Sequence, residues 1–296
     1  MPVFSLFRGL PVAALALSTL ALGACSPLGA FNSLIPKDGG TQQSAKDVSF
    51  GPLERQKLDL YRPDRADGDT PDADLPIIVF IHGGSWQDGN KDGYSFVGRA
   101  LASRGFLVAV PNYRLVPDVR YPSFLEDNAA AVRWVIDNAA AYGGDPSRIV
   151  LVGHSAGAYN AAMLTLDERW LGSARQNVKG FVGLAGPYDF LPLDGDVTRA
   201  AFGNEEKPET TQPIAFATAD DPPVLLLHGA KDTTVYTRNS ETLRNRLVQA
   251  GAEARIEIYP DLGHIEILTA LSRPFRSKAP VLNDTATFAK DVSHRP

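Results

Sequence analysis

The chain has 296 residues, 44% hydrophobic and 21% charged, the balance of a soluble globular protein and not of a disordered or fibrous one. The formal charge of −5 is mild and the Lys and Arg residues are scattered, which argues against nucleic acid as a partner. A lone cysteine, Cys25, excludes an intramolecular disulfide, and the five widely spaced histidines give no metal-ligand spacing, so neither metal nor organic cofactor is expected.

In residues 1–24, Arg8 precedes the apolar stretch Leu10–Ala24. That stretch is shorter than the about 20 residues a spanning helix needs, and it reads as a secretory signal. Leu22-Gly23-Ala24-Cys25 resembles the lipobox of bacterial lipoproteins. The resemblance implies cleavage before Cys25, a lipid on its sulfur and anchorage of an exported protein to a membrane. With no acidic residue directly after Cys25, the outer membrane is favoured by analogy. Residues 25–46 are small, polar and Gly/Pro-containing, and read as a flexible tether to that anchor.

Residues 47–296 alternate strand and helix patterns. "LERQKLDLYRP" reads as a half-exposed strand, and "DRADGDTPDAD" as a charged turn. "LPIIVFIHGG" and "FLVAVPNYR" are the continuous apolar runs of strands buried on both faces. "SFLEDNAAAVRWVIDNAAAYGG" is a helix, with Ser123 and Glu126 as a capping box and Gly143–Gly144 as its stop. "RIVLVGHS" is a strand followed by the helix "AGAYNAAMLTLDERW". "VKGFVGLAG" and "PVLLLHGA" add strands, "YTRNSETLRNRLVQAGA" a helix, "ARIEIYP" an edge strand, and residues 280–292 a last helix. Such alternation predicts an α/β fold with a mostly parallel sheet covered on both faces. Residues 187–222 lack a clean period and read as a cap-like insertion at one end of the sheet.

Gly153-His154-Ser155-Ala156-Gly157 sits between a strand and a helix, the context in which a Gly-x-Ser-x-Gly motif makes a nucleophile elbow. A serine hydroxyl needs a base to become a nucleophile. Among the histidines, His82 precedes two glycines, His154 lies in the elbow pointing away from the serine, His228 suits a structural place and His294 is terminal. His264, directly after the last strand, is the base. Asp232, after the preceding strand, is preferred as the acid that orients it over Asp261 and Asp189. The order Ser, Asp, His differs from those of the chymotrypsin and subtilisin types. Gly83 and Gly84, just past a buried strand, join the N–H of Ala156 as the expected oxyanion hole. Trp86, Tyr113, Tyr159, Tyr188 and Phe190 are candidates for the substrate pocket.

With "HGGSW", "PNYRL", "YPSFLEDNAAAVRWV" and "GHSAG" together, residues 48–270 resemble the α/β-hydrolase superfamily, in its esterase/lipase branch near hormone-sensitive lipase and kynurenine formamidase. The resemblance implies a serine carboxylesterase acting on a small-molecule ester through an acyl-enzyme. A formamidase or amidase on the same triad is the chemical alternative, and a tethered, non-catalytic binding protein the alternative of another class. His154 and Ser85 stand where the hormone-sensitive branch usually has Asp and a third glycine, which leaves the substrate open. Oligomeric state is not readable from the sequence.

Overall fold

The computed structural model describes residues 27–64 and 74–295. The signal segment, Cys25 and most of the "DRADGDTPDAD" turn lie outside the described residues. Eight strands run in chain order: β1 Thr41–Ser49, β2 Lys57–Pro63, β3 Leu75–Ile81, β4 Leu107–Pro111, β5 Gly144–His154, β6 Val178–Leu184, β7 Val224–Gly229 and β8 Ala254–Tyr259. They form one sheet in the order β1-β2-β4-β3-β5-β6-β7-β8. All pairings from β4 across to β8 are parallel, while β1–β2 and β2–β4 are antiparallel.

The apolar runs split by the two-residue period of a strand. In β3, Ile77, Val79 and Ile81 enter one core, and Ile78 and Phe80 enter the other. The first core is closed by α3 (Ser123–Asn138), α4 (Ala156–Leu166) and α7 (Arg238–Ala250). The second is closed by α2 (Ser95–Ala102) and α9 (Val281–Ser293). The expected α/β layering is therefore present, and β8 is the edge strand that its alternation predicts.

Four expectations change. The segment read as a flexible tether contains a helix, α1 (Pro27–Leu34), and the sheet's first strand, so the folded unit begins well before residue 47. Strand β1 reads as a polar linker because it is an edge strand with little to bury. Helix α1 is held by Asn32, whose Nδ2 donates to Asp92 O at 2.7 Å and whose Oδ1 accepts from the Ser95 hydroxyl and the Phe96 amide. That last bond satisfies a first-turn N–H of α2, so a residue on one helix caps the start of another. Past α1, Asp38 forms a two-pronged ion pair with Arg276, at 2.9 Å for each arm. The second change is in β2, whose middle five residues are all buried, because β1 shields one edge and Tyr61 packs against Gly98 of α2.

Third, Ser123 is not the N-cap of α3. That place falls to Pro122, whose carbonyl receives the Leu125 and Glu126 amides. The stop is at Gly143 as expected, in a left-handed conformation at φ 85° after a short 3-10 turn. Fourth, residues 187–222 are not wholly irregular: past the short α5 (Glu168–Leu171), they carry α6 (Asp196–Phe202) and two 3-10 turns. Phe202 from α6 packs edge-on against Trp86 at 4.9 Å.

Candidate active site

The site gathers at the carboxyl ends of β3, β5, β7 and β8. Strand β5 stops at His154, α4 starts at Ala156, and Ser155 between them holds φ 55° and ψ −124°. A non-glycine residue in that region stores strain that its surroundings must hold in place. Here the surroundings are tight: a Cβ at Gly157 would lie 2.0 Å from Ile81 O, and one at Gly153 would lie 2.3 Å from Gly157 O. The glycines let the elbow close against β3, which leaves Ser155 at the floor of two cavities.

His264 opens a short helix, α8 (His264–Thr269), in the loop beyond β8. Its Nε2 lies 2.9 Å from Ser155 Oγ, and its Nδ1 lies 2.7 Å from Asp232 Oδ2. An ionised carboxylate is acceptor-only, so the ring proton sits on Nδ1 and Nε2 is free to accept from the serine. Asp232 Oδ1 in turn accepts the amides of Thr234 at 2.8 Å and Val235 at 2.9 Å. Burial alone would raise the Asp232 pKa. Hydrogen bonds from His228, His264 and Val235 outweigh it and hold the carboxyl well below its ordinary range. The rivals stand apart: Asp261 is an exposed partner of Lys231 at 2.8 Å, and the Asp189 backbone is held by Asn239.

Two histidines have places the sequence reading did not give them. His154 does not point away from the site. It lines the larger cavity, its ring lies 4.9 Å from that of His264, and its Nε2–H donates to His264 O at 2.8 Å. Burial, aided by the neighbouring His264, pushes its pKa down to about 3, so it is a neutral strut beneath the loop. His228 is buried as expected, but it also touches the acid. Its Nε2–H donates to Val235 O at 2.7 Å and lies 3.3 Å from Asp232 Oδ2. The His154 contact is not legible locally, because it joins residues that come together only when the ends of β5 and β8 meet, whereas His228 and Asp232 lie four residues apart across the end of β7.

The glycine loop after β3 has its own support. His82 is buried between Tyr113, stacked at 4.4 Å, and Tyr94 at 5.5 Å, and the Tyr113 hydroxyl donates to His82 O. Gly84 has φ +121°, and a Cβ there would lie 2.1 Å from Asp88 O. Gly83, Gly84 and Ala156 all border the cavities at Ser155. The Gly83 amide, however, faces the Tyr94 hydroxyl. Ser85, given no role from the sequence, borders both cavities and takes the same left-handed turn at φ 56°.

The aromatic candidates divide. Trp86 and Phe190 line the smaller cavity. Tyr113, Tyr159 and Tyr188 are fully buried and do not line either cavity. Tyr113 backs the glycine loop. Tyr159 stands behind Trp86 and donates its hydroxyl to Thr211 O at 2.8 Å. Tyr188 sits against Gly183 and Gly186 in the core. Helices and the insertion cover positions that a sequence pattern leaves open.

Residues 58–247 match the BD-FAE family. The chain belongs to the BD-FAE family. Among curated relatives, isoprenylcysteine alpha-carbonyl methylesterase ICME of Arabidopsis thaliana is 30% identical over 263 residues, covering 80% of this chain and 59% of that protein. Esterase LipQ of Mycobacterium tuberculosis is 30% identical over 228 residues, 70% of this chain and 53% of LipQ. The chain thus spans about three fifths of the length of the first of these and about half of the second. Among solved structures, a truncated carbohydrate esterase from gut microbiota aligns with a TM-score of 0.76 at 26% identity, over 88% of this chain and all of that one. Esterase B of Lactobacillus rhamnosis aligns at 0.77 with 19% identity over 90% of both chains, a likeness of fold. The fold is the α/β-hydrolase fold, and the BD-FAE match covers the strand ends that carry Ser155 and Asp232.

Proposed function

We propose that the protein is a serine carboxylesterase acting through an acyl-enzyme. The observation that carries this reading is the unbroken line from Asp232 through His264 to Ser155, ending at a serine open to two cavities. The esterases among its relatives support it. His264 Nε2 takes the Ser155 proton as Oγ bonds to the ester carbonyl carbon. The carbonyl oxygen becomes an oxyanion held by backbone amides of the glycine loop and Ala156 at the start of α4. Each such donor contributes roughly 3–4 kcal/mol to the transition state. His264 then gives the proton to the departing alkoxide as the carbon–oxygen bond breaks. Water, deprotonated by His264, releases the acid and restores Ser155. Asp232 remains ionised throughout and fixes the ring tautomer.

The test is labelling by a fluorophosphonate together with hydrolysis of short acyl esters. Wild type labels and turns over, while Ser155→Ala does neither. A wild-type protein inert to both overturns the reading. We further propose that Cys25 carries lipid and anchors an exported protein to a membrane, on the strength of Leu22-Gly23-Ala24-Cys25. Detergent-phase partitioning that Cys25→Ala leaves unchanged would refute this.

A further inference from the structure

Resting on the esterase reading, the geometry points to a division of labour between the two cavities at Ser155, with α1 as a specificity element. We propose that the larger cavity takes the alcohol half of the substrate, that this alcohol is neutral and apolar, and that Leu28 and Phe31 of α1 select it.

The tetrahedral carbon carries four groups: Ser155 Oγ, the oxyanion, the alkoxy oxygen and the acyl carbon. The oxyanion is committed to the backbone donors. The alkoxy oxygen must lie within reach of His264 Nε2, because it takes the proton from that atom as its bond to carbon breaks. The acyl carbon then points away from the imidazole. Both cavities include Ser155 in their walls, but His264 lines the larger alone. The alcohol therefore extends into a space of about 560 Å³, and the acyl chain into one of about 300 Å³. Trp86, Phe190 and Val197 bound that smaller space.

The larger space has apolar side walls of unusual origin. Leu28 and Phe31 of α1 form one, and Ile265 and Leu268 of α8 form the other. Leu28 lies against Gly93, 3.7 Å from where a Cβ would stand, and Phe31 is clamped between Phe96 at 5.4 Å and Phe275 at 6.0 Å. The wall is thus packed in place, with Asn32 holding the next turn. At the rim, the exposed carboxylate of Asp88 opposes an anionic alcohol. Apolar walls without a paired charge favour a leaving group that gains by desolvation.

Two isomeric esters separate the halves: hexyl acetate, with a long alcohol, and methyl heptanoate, with a long acyl chain. Wild type has the higher kcat/KM on hexyl acetate. Leu28→Trp, which fills the alcohol space, lowers kcat/KM for hexyl acetate about tenfold more than for methyl heptanoate. Leu28→Ala, which only removes wall atoms, lowers the same ratio about threefold and serves if the tryptophan variant does not fold, as judged by thermal unfolding. The proposal is overturned if either folded variant lowers both isomers equally or strikes methyl heptanoate harder. A wild-type protein that hydrolyses neither isomer and resists the fluorophosphonate instead overturns the esterase reading beneath it.

Discussion

The parallel half of the sheet and its antiparallel margin follow different rules. At the ends of β3, β5, β7 and β8, each site residue stands just past a strand, buried in β3, β5 and β7 and at the sheet edge in β8, and is aimed by its own local backbone. At the margin, α1 and β1 have weak local signals and are held by distant partners: Asn32 by the start of α2, and Asp38 by Arg276. On the proposed mechanism the first region sets which bonds are made and broken. On the proposed division of the two cavities the second sets how much room the reaction has. A fold can keep its chemistry on one side and vary its selectivity on the other.

The largest expected effect lies in the parallel half. Ser155→Ala lowers kcat by about 10⁶-fold, leaving only binding and oxyanion contributions. A residual rate within a hundredfold of wild type would place the nucleophile elsewhere. Asp232→Asn keeps the shape but loses the tautomer control over His264, and should lower kcat by about 10⁴-fold. Steady-state rates on a p-nitrophenyl ester check both. Equal rates for Asp232→Asn and wild type would move the acid to another residue.

At the margin the effects are smaller and differ in kind. Asn32→Ala leaves the buried Phe96 amide and Asp92 carbonyl without their partner, which costs about 1–3 kcal/mol. The expected outcome is a lowered thermal midpoint and faster hydrogen exchange across α1, with Ser155 still labelled by a fluorophosphonate. If exchange in α1 stays as slow as in wild type, Asn32 is not what holds it.

The last effect concerns acid. Burial pushes the pKa of His82 down to about 4, and burial with the adjacent His264 pushes that of His154 to about 3, against 6.5 for an ordinary histidine. The unfolded chain therefore binds more protons than the folded one in the window below pH 6.5. Stability rises with pH across that window and is lost as pH falls from about 6.5 toward 3. The urea midpoint should drop on acidification, and drop less in His154→Gln. A midpoint that is flat between pH 6.5 and pH 4 contradicts this.

Much of the parallel half was legible because its signals are local. Ser155 is flanked by glycines that nothing larger can replace, and Asp232 and His264 each follow a strand that its own apolar pattern declares. Their joining is a consequence of parallel strands ending on the same side. The contact of His154 with the His264 carbonyl depends on how the ends of β5 and β8 meet, which no single stretch encodes, whereas His228 reaches Asp232 only four residues on, through the turn that ends β7. Tyr113, Tyr159 and Tyr188 read as pocket residues and lie in the core for a related reason: an aromatic near a motif is either wall or core, and packing from another element decides. Strand β1 reads as a linker because "TQQSAKDVS" has no buried face to announce it, and α1 does so because eight residues with an interior glycine carry little helical period.

The bond from Asn32 to the start of α2 has a practical side. A chemist making this protein in quantity would cut away the apolar first residues and, reading a polar stretch as dispensable, begin the chain at Thr41. The sheet would be whole, and Ser155, His264 and Asp232 all present. Yet the product would lack Leu28 and Phe31, and the first turn of α2 would have lost its borrowed cap. If α1 selects the alcohol as proposed, such a shortened protein would report a substrate preference belonging to the shortening and not to the protein.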